Sequence, residues 1–575
     1  MVLKEKLIKE IGDIVQELTG QELVVSLEHP EDVSHGDFAT TVSFQLAKML
    51  KVSPLAAGEK VKDALLAKHL PEVQDVTVVH PGFINIALTP NFFITGLRRV
   101  LSTDEVEKSS KLTNKRVMVE YAHPNTHKEM HIGHMRTLIT GEALSRILES
   151  TGSKVFRANY QGDIGPHVAK ALYGIKKIME EEGLTIEKIR SWSNEEKAHF
   201  LGRGYARGSQ EYEENKSTID NINMQLYTNN PEIAAIYQET REWSLEYYRE
   251  FYSKFGTTFD SLFFESQVVH SGRKIVEEYT GKVFVKDNGA IVFPGEQYGL
   301  HTRVFITQAG NPTYEGKEMG NAFAEHKAFP FDLKIHVVGS EQAGYFKVVF
   351  KALELIDPQK FKDKQFHLSM GMVQLTDRKM SSRTGDILRV DWLIDQVREK
   401  VEELATEGRI ESDKKVELLS QISIGAVKYS VLKVGATQDV AFDINRSVSL
   451  EGDSGPYLQY AYARTQSVLR KAKSEKRKVK SEFDYLNLEK EELELLRMLS
   501  KFDEVVNESA DKFAPNIICT YLYELASTFN IFYQKHPILK AEEKIGEFRL
   551  ALTEGVGKRI KQGLNLLGIE SPEKM

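Results

Sequence analysis

The sequence predicts a multidomain protein in which an α/β core is joined to an α+β unit before it and an all-α unit after it. Three observations predict this. The chain has 575 residues, more than one hydrophobic core usually supports, so three or four domains are expected. A strand–loop–helix–strand–helix run begins at Lys115, the order of a parallel nucleotide-binding sheet. From about Lys415 onward the periodicity is helical throughout, which reads as a bundle.

Taken in order, Met1–Leu18 carries Leu3, Leu7, Ile8, Ile11 and Ile14 at helical spacing. Phe38–Leu50 and Ala56–Leu70 read as two further helices, with Ser53-Pro54 as a stop and restart between them. Val76–Val79 and Phe83–Leu88 read as strands around His80-Pro81-Gly82. Polar Ser102–Thr113 reads as a linker, which gives a first domain over 1–110. The second domain spans 111–435. It opens with a strand at Arg116–Tyr121, a helix at Met135–Leu148, a strand at Lys154–Tyr160 and a helix at His167–Met179. A charged, aromatic helical insertion covers about 180–255, and strand signals return at Lys282–Val285, Ala290–Phe293, Arg303–Ile306 and Leu333–Val338. The third domain, 436–575, shows helical stripes such as Leu522, Leu525, Phe529 and Phe532.

Composition narrows the class. With 41% hydrophobic and 28% charged residues, the chain is neither disordered nor collagen-like. A single cysteine, Cys519, excludes an intrachain disulfide and any zinc site built on two cysteines, and fits a reducing, cytoplasmic compartment. No apolar run approaches the length of a membrane span. The first 18 residues mix lysines with acids, unlike a transit peptide, and lack the apolar run of a signal peptide. The net charge of −7 argues, at first sight, against a nucleic-acid partner.

Two motifs carry chemistry. His131-Ile132-Gly133-His134 falls at the start of a helix after a strand and loop. Backbone N–H groups and the helix dipole suit phosphate there, Gly133 lets a base or phosphate approach, and two histidines can donate to charge developing at phosphorus. The four letters alone are equally well met as two surface histidines at a helix cap. The second motif, Lys379-Met380-Ser381-Ser382-Arg383-Thr384-Gly385, offers cationic and hydroxyl donors in a glycine-ended loop that suits a polyphosphate. Alone it is weak, since a solvated basic loop is the commoner explanation of such a string.

Together, in this order and on this scaffold, the pair resembles the HIGH and KMSKS signatures of class I aminoacyl-tRNA synthetases. Longer strings resemble the arginyl-tRNA synthetase family over essentially the whole chain: Val119–Asn125 with Lys128, Asn159–Gly165, Glu451–Arg464, Tyr521–Ala526, Gly36–Thr40 and Gly82–Asn85. The resemblance implies a Rossmann-type catalytic domain, an N-terminal tRNA-binding domain and a C-terminal anticodon-binding bundle. It also implies activation of arginine by ATP with Mg2+ on the phosphates, transfer to tRNA-Arg, dependence of activation on bound tRNA, a monomeric state and no zinc. Other class I synthetases fit less well: those for Cys commonly use cysteine-rich zinc sites, and those for Gln and Glu lack the N-terminal module. Intact HIGH and Lys379 speak against an inactive tRNA-binding paralogue, and the C-terminal helices against a nucleotidyltransferase of small metabolites.

Residue by residue, the resemblance assigns arginine binding to Glu120, Asn125, His134, Tyr314, Glu318 and Gln342. Tyr314 and Glu318 stand four apart and share one helix face; Asn125 also fits a turn after Pro124. The chain departs from the family at Glu318, where Asp is usual, and at Ala122-His123, where many relatives have two serines. Ser382 stands where the loop usually has Lys, and Lys128 just before HIGH matches the substitute cation seen in relatives with this change. ATP binding falls to His131, Gly133, His134, Lys128, Met372, Val373, Lys379, Met380, Ser381 and Ser382, with His131, His134, Lys128 and Lys379 stabilising the transferring phosphate. The protein itself supplies no metal ligand. For tRNA, Phe83 and Asn85 match the N-terminal domain's contact, though Phe83 also fits a core strand, and Tyr457, Gln459, Tyr460 and Arg464 are anticodon candidates, though Tyr460 also fits packing. Arg464–Lys480 holds eight basic residues and one acid. That stripe on an acidic chain reconciles the net charge with an RNA partner: it favours one docking pose over indiscriminate binding.

Overall fold

A computed structural model describes residues 3–30, 32–228, 230–376, 389–405, 412–480 and 487–575. The N-terminal unit is built from α1 (Leu3–Thr19), β1 (Phe38–Thr40), α2 (Val42–Leu50), α3 (Pro54–Ala67), β2 (Val73–Val79), β3 (Phe83–Leu88) and α4 (Pro90–Ser102). Leu7, Ile11, Ile14 and Val15 bury the inner stripe of α1, and β3 lies between β1 and β2 in an antiparallel sheet. Two expectations change here. Phe38–Leu50 is not one helix: Phe38–Thr40 pairs with Ile84–Ile86 as an edge strand, and the helix starts only at Val42. Phe38 and Thr40 point into the core, so strand pairing overrides helical propensity. The helix α4 went unread, although Thr89 caps it by accepting from Phe92 N, Pro90 stands in its first turn, and Phe93, Leu97 and Val100 bury one stripe.

The central unit runs through β4 (Arg116–Glu120), α5 (Ile132–Ser150), β5 (Lys154–Gln161) and α6 (Pro166–Glu182). The helical insertion follows as α7 (Ile186–Arg190), α8 (Asn194–Gln210), α9 (Lys216–Tyr227) and α10 (Pro231–Lys254). Helices α6 and α8 meet backbone to backbone: a Cβ on Gly208 would lie 1.9 Å from the Lys170 carbonyl oxygen, and one on Gly174 would lie 2.0 Å from that of Gly204. Glycine is required there by space. The chain then re-enters the sheet through β6 (Ser261–Phe264) and α11 (Glu265–Glu278), and makes β7 (Val285–Asp287), β8 (Ala290–Phe293), β9 (Arg303–Ile306) and α12 (Tyr314–Ala328). β7–β9 form their own antiparallel sheet, so of the four returning strand signals only the last joins the parallel one.

That last strand is β10 (Leu333–Gly339). It is followed by α13 (Ala343–Ile356), α14 (Pro358–Phe361), β11 (Gln365–Met370), β12 (Val373–Leu375), α15 (Val390–Ala405), α16 (Ser412–Leu432), β13 (Val440–Phe442) and α17 (Ile444–Ser447). The main sheet has the order β11-β10-β4-β5-β6, all parallel. From β4 the chain winds outward through β5 and β6, then returns to the other side of β4 as β10 and β11. The carboxyl ends of β4 and β10 therefore flank a topological switch point, where open α/β sheets bind ligands. β12 and β13 pair in parallel, so a strand appears where only helices were expected.

The C-terminal unit is α18 (Gly455–Ser474), α19 (Lys490–Lys512), α20 (Asn516–Lys535) and α21 (Glu543–Leu566), with Leu495, Leu499, Leu522, Leu525, Phe529, Leu552 and Val556 in its core. Among the described residues, no helix is long and apolar enough to cross a membrane.

Candidate active site and RNA-facing surfaces

His131 is the N-cap of α5. Its Nδ1 accepts from Gly133 N at 3.1 Å and from His134 N at 3.4 Å, while His134 Nδ1 accepts from His131 N at 3.5 Å. The expectation that free backbone N–H groups at this terminus would receive phosphate is thus corrected: the His131 ring already takes two of them. A Cβ at Gly133 would fall 2.9 Å from the His131 ring, so this glycine makes room for the imidazole. The rings of His131 and His134 stack with centroids 3.7 Å apart. Burial, then the Lys128 charge, lowers the His131 pKa to about 4, and burial beside His131 holds His134 well below its ordinary value. Both rings are neutral near pH 7. With each Nδ1 accepting, each proton sits on Nε2, so each ring presents one N–H donor on its far side.

The loop from Tyr121 to Met130 links β4 to this pair. Ala122 (φ 79°) and His123 (φ 50°) lie consecutively in the left-handed region, a strained conformation of the kind held at ligand sites. Asn125 lies against Gly162, where a Cβ would come 2.2 Å from Asn125 Oδ1. Tyr248 of α10 fastens the loop by donating to the carbonyl oxygens of Asn125 (2.7 Å) and Lys128 (2.9 Å). Lys128 Nζ rests over the ring of Tyr205 on α8, 4.1 Å from its centroid. The insertion therefore buttresses the catalytic loop from two helices.

At the end of β4, Glu120 is 2% exposed. Its Oε2 lies 2.7 Å from Lys334 Nζ, and its Oε1 3.1 Å from His336 Nδ1 and 3.8 Å from His123 Nδ1. Lys334 and His336 come from β10, where His336 is in register with Glu120. Lys334 also pairs with Glu325 of α12. On the same helix, buried Glu318 has an Oε1 without any hydrogen-bond partner. Burial, then the negative charge of Glu120, raises the Glu318 pKa to about 7. Nearby, the Tyr160 hydroxyl, Asn321 Oδ1 and His123 Nε2 are likewise buried and unpartnered. Such a concentration of orphaned polar atoms marks a place built for a polar ligand. Ligand atoms of Glu120, Glu318 and His336 lie within 4.8 Å of one another, and of these Glu120 already has a cation in Lys334. Tyr314, at the start of α12, is 58% exposed, and Gln342 is exposed at the turn into α13. The sequence reading missed Lys334, His336 and Glu325, because strand and helix cores seldom hold charge. The alternation in Lys334-Ile335-His336 was the available signal.

Further along α5, Arg136 is 2% exposed and donates to the carbonyl oxygens of Met372 (2.9 Å), Ala436 (3.1 Å) and Gln438 (2.5 Å). Met372 N donates to Asp439 Oδ1 at 2.7 Å, its carbonyl also receives Val440 N at 2.8 Å, and its side chain is 56% exposed. Val373 is buried in register with Val440. Lys379, Met380, Ser381 and Ser382 lie outside the described residues.

Comparison with known proteins decides among the readings of this geometry. A family model described as "tRNA synthetases class I (R), catalytic domain" matches residues 96–444. The chain belongs to the arginyl-tRNA synthetase family. Models for the arginyl tRNA synthetase N terminal domain and the DALR anticodon binding domain match residues 1–88 and 458–575. The arginine–tRNA ligase of Treponema denticola is 32% identical over 96% of this chain and 95% of its own, and that of Phocaeicola vulgatus is 31% identical over the whole of both. The Thermus thermophilus arginyl-tRNA synthetase structure superposes over the whole of both chains with a TM-score of 0.83 at 26% identity. The arginyl-tRNA synthetase of Plasmodium falciparum, 18% identical, shares the fold at a TM-score of 0.81, covering 100% of this chain and 99% of its own.

For an arginyl-tRNA synthetase the RNA-facing surfaces matter next. Phe83 is 42% exposed at the start of β3, edge-on to Phe44 at 5.4 Å, so it is not the core strand residue it equally resembled. Asn85 is buried in the middle of the sheet, in register with Ala39 and Thr77. Gln459 corrects an expectation: it is fully buried, and its Nε2 donates to the carbonyl oxygens of Gln421 (3.2 Å) and Glu570 (2.8 Å), fastening α18 to α16 and the C-terminal segment. It packs; it does not face solvent. Tyr457, Tyr460 and Arg464 do cluster. The Arg464 guanidinium lies 4.8 Å over the Tyr460 ring and 5.1 Å over that of Tyr533 and pairs with Asn530, which itself donates to the Tyr457 hydroxyl at 2.8 Å. On another side of α18, Lys473, Lys476, Arg477 and Lys478 line a groove of about 1340 Å³ between α18, α21 and residues 104–108, together with Asp104, Glu105, Glu554 and Glu573.

Proposed function

We propose that this chain is an arginine–tRNA ligase whose arginine pocket lies between the carboxyl ends of β4 and β10, with ATP at the N-terminus of α5. The observation that supports it most is the buried carboxylate of Glu318, which lacks a cation, in a pocket adjoining the HIGH histidines. Arginine's guanidinium is the cation that pairs best with such a group. Glu318 and Tyr314 receive the guanidinium, Glu120 and Asn125 the α-ammonium end, and His134 and Gln342 border the ligand.

The arginine carboxylate attacks the α-phosphorus of ATP in line. A P–O bond to arginine forms as the bond to pyrophosphate breaks, and pyrophosphate leaves with the electron pair. No protein nucleophile is involved; positioning and charge stabilisation lower the barrier. His131 and His134 donate through Nε2–H to the α-phosphate as charge builds there. Lys128 and Lys379 meet the β- and γ-phosphates, with Met380, Ser381 and Ser382 shaping the loop around Lys379. Charge on the leaving pyrophosphate is further met by Mg2+ that enters with the nucleotide. Gly133 seats the His131 ring, and the β12 segment Met372-Val373 borders the adenine. In the second half-reaction the terminal ribose hydroxyl of the tRNA attacks the arginyl carbonyl and AMP departs. The chain acts as a monomer, as the family resemblance implies, in a reducing cytoplasm that suits its single buried Cys519. Phe83 stacks on an unpaired base of the tRNA with Asn85 beneath it, and the Tyr457, Tyr460 and Arg464 cluster meets the anticodon.

The Lys128→Ala variant tests the phosphate role. Arginine-dependent ATP–pyrophosphate exchange, measured with tRNA present, is expected to fall by about 100-fold with an unchanged melting temperature. Wild-type exchange in that variant would refute the role of Lys128.

A further inference from the structure

The charge balance of the arginine pocket is set by a residue that does not itself face the ligand. Three buried carboxylates, Glu120, Glu318 and Glu325, surround one fully buried ammonium, Lys334. Lys334 Nζ is 2.7 Å from Glu120 and also pairs with Glu325. His336 Nδ1 donates to Glu120 at 3.1 Å, and its Nε2 lies 2.8 Å from the side-chain amide of Gln365; burial lowers its pKa to about 4, so it adds hydrogen bonds and no charge. Glu318 alone has no cation, and its Oε1 has no partner at all. A buried carboxylate in that state takes up a proton or a cationic ligand.

We propose that Lys334 is a specificity-determining positioning residue: by occupying Glu120 and Glu325 it leaves Glu318 as the one carboxylate open to a guanidinium, and so fixes which way arginine lies in the pocket. This rests on the reading of Glu318 as the guanidinium partner. The other groups facing the cluster are His123 from the loop after β4, Tyr160 from β5, Glu265 from α11, Asn321 from α12 and Tyr345 from α13. Burial and Glu120 raise the Glu318 pKa to about 7, and the Lys334 charge opposes them. Arginine binds the ionised form of Glu318. Its KM therefore falls as pH rises through about 7 and levels off above.

The test is the pH dependence of KM for arginine in ATP–pyrophosphate exchange, with ATP and tRNA saturating. Removing the Lys334 charge in Lys334→Met moves the midpoint up by about one pH unit or more. Lys334→Arg keeps it near the wild-type value. KM for ATP stays constant throughout. A purely structural role for Lys334 lowers the melting temperature and disturbs both KM values without moving the midpoint, and that result overturns the proposal. Should Lys334→Met fail to fold, Lys334→Gln decides alone: an unchanged or lowered midpoint overturns it. Glu318→Gln separates the two levels. A wild-type KM for arginine in Glu318→Gln refutes the pocket itself. A loss of about 100-fold or more there, with unmoved midpoints in the other variants, refutes only the role of Lys334.

Discussion

His131 performs two tasks with one ring. Nδ1 caps α5 by accepting from Gly133 and His134, and this fixes the remaining proton on Nε2, facing away from the helix. The cap and the catalytic donor are thereby separable. Asparagine keeps a good N-cap acceptor but loses the outward N–H. The His131→Asn variant is expected to keep the wild-type melting temperature within about 1 °C, its cap being nearly equivalent, and to lose about 10²–10³ in the rate of adenylate formation; both are read by a thermal melt and single-turnover kinetics. Because the His131 pKa is lowered to about 4, the pair is neutral near pH 7, where Glu318 titrates. The sequence made the two histidines legible through their spacing and position. It hid their electrostatics, which depend on burial, and it hid Lys334 and His336, whose partner Glu120 stands more than two hundred residues away.

Among the elements, α5 is the hub. It carries the histidine pair at its first turn and, one turn on, Arg136, whose guanidinium gathers the carbonyl oxygens of Met372, Ala436 and Gln438. Backbone acceptors from two separate segments are thus tied to the helix whose first turn carries the histidine pair. Substituting Arg136→Met leaves those carbonyls without their donor, which costs about 1–3 kcal/mol for each group left unsatisfied. It is expected to raise KM for ATP about 10-fold or more through displacement of β12 while leaving KM for arginine near wild type, as measured in exchange assays. The long amphipathic helices and the strands β4, β5 and β10 were legible from periodicity. Short β6, β11, β12 and β13 were not, since three to six residues give too few alternations to distinguish a strand from a loop. The strands β7–β9 were legible as strands, but nothing local told that they pair with each other instead of with the main sheet.

Across the whole molecule, the N-terminal unit is fastened to the C-terminal bundle through α19. Arg497 Nε lies 2.7 Å from Asp37 Oδ1, while Asp37 Oδ2 accepts from Leu88 N at 2.8 Å. Glu504 pairs with Lys4 and, at 3.0 Å, with His29. The backbones of α4 and α19 approach closely at Gly96, where a Cβ would meet Ser500 Oγ at 2.8 Å. The string Gly36-Asp37-Phe38, read from sequence as part of an RNA-binding module, thus contributes its acid to an interdomain ion pair. Arg497→Ala leaves Asp37 buried without its cation, costing about 3 kcal/mol. Calorimetry is expected to show the N-terminal unit melting ahead of the rest. The net charge of −7 coexists with the Arg464 cluster against α20 and with a separate groove of mixed charge on the α21 side of α18.

The account's central claim is that the buried carboxylates at the ends of β4 and α12 select arginine for transfer to tRNA. Charging of total tRNA, run in parallel with each of the twenty radiolabelled amino acids, tests it most directly. The account predicts that the wild-type protein attaches arginine alone and that Glu318→Gln, folded as judged by its melting temperature, attaches none at the same arginine concentration. Attachment of a different amino acid, or undiminished arginine attachment by Glu318→Gln, would contradict it.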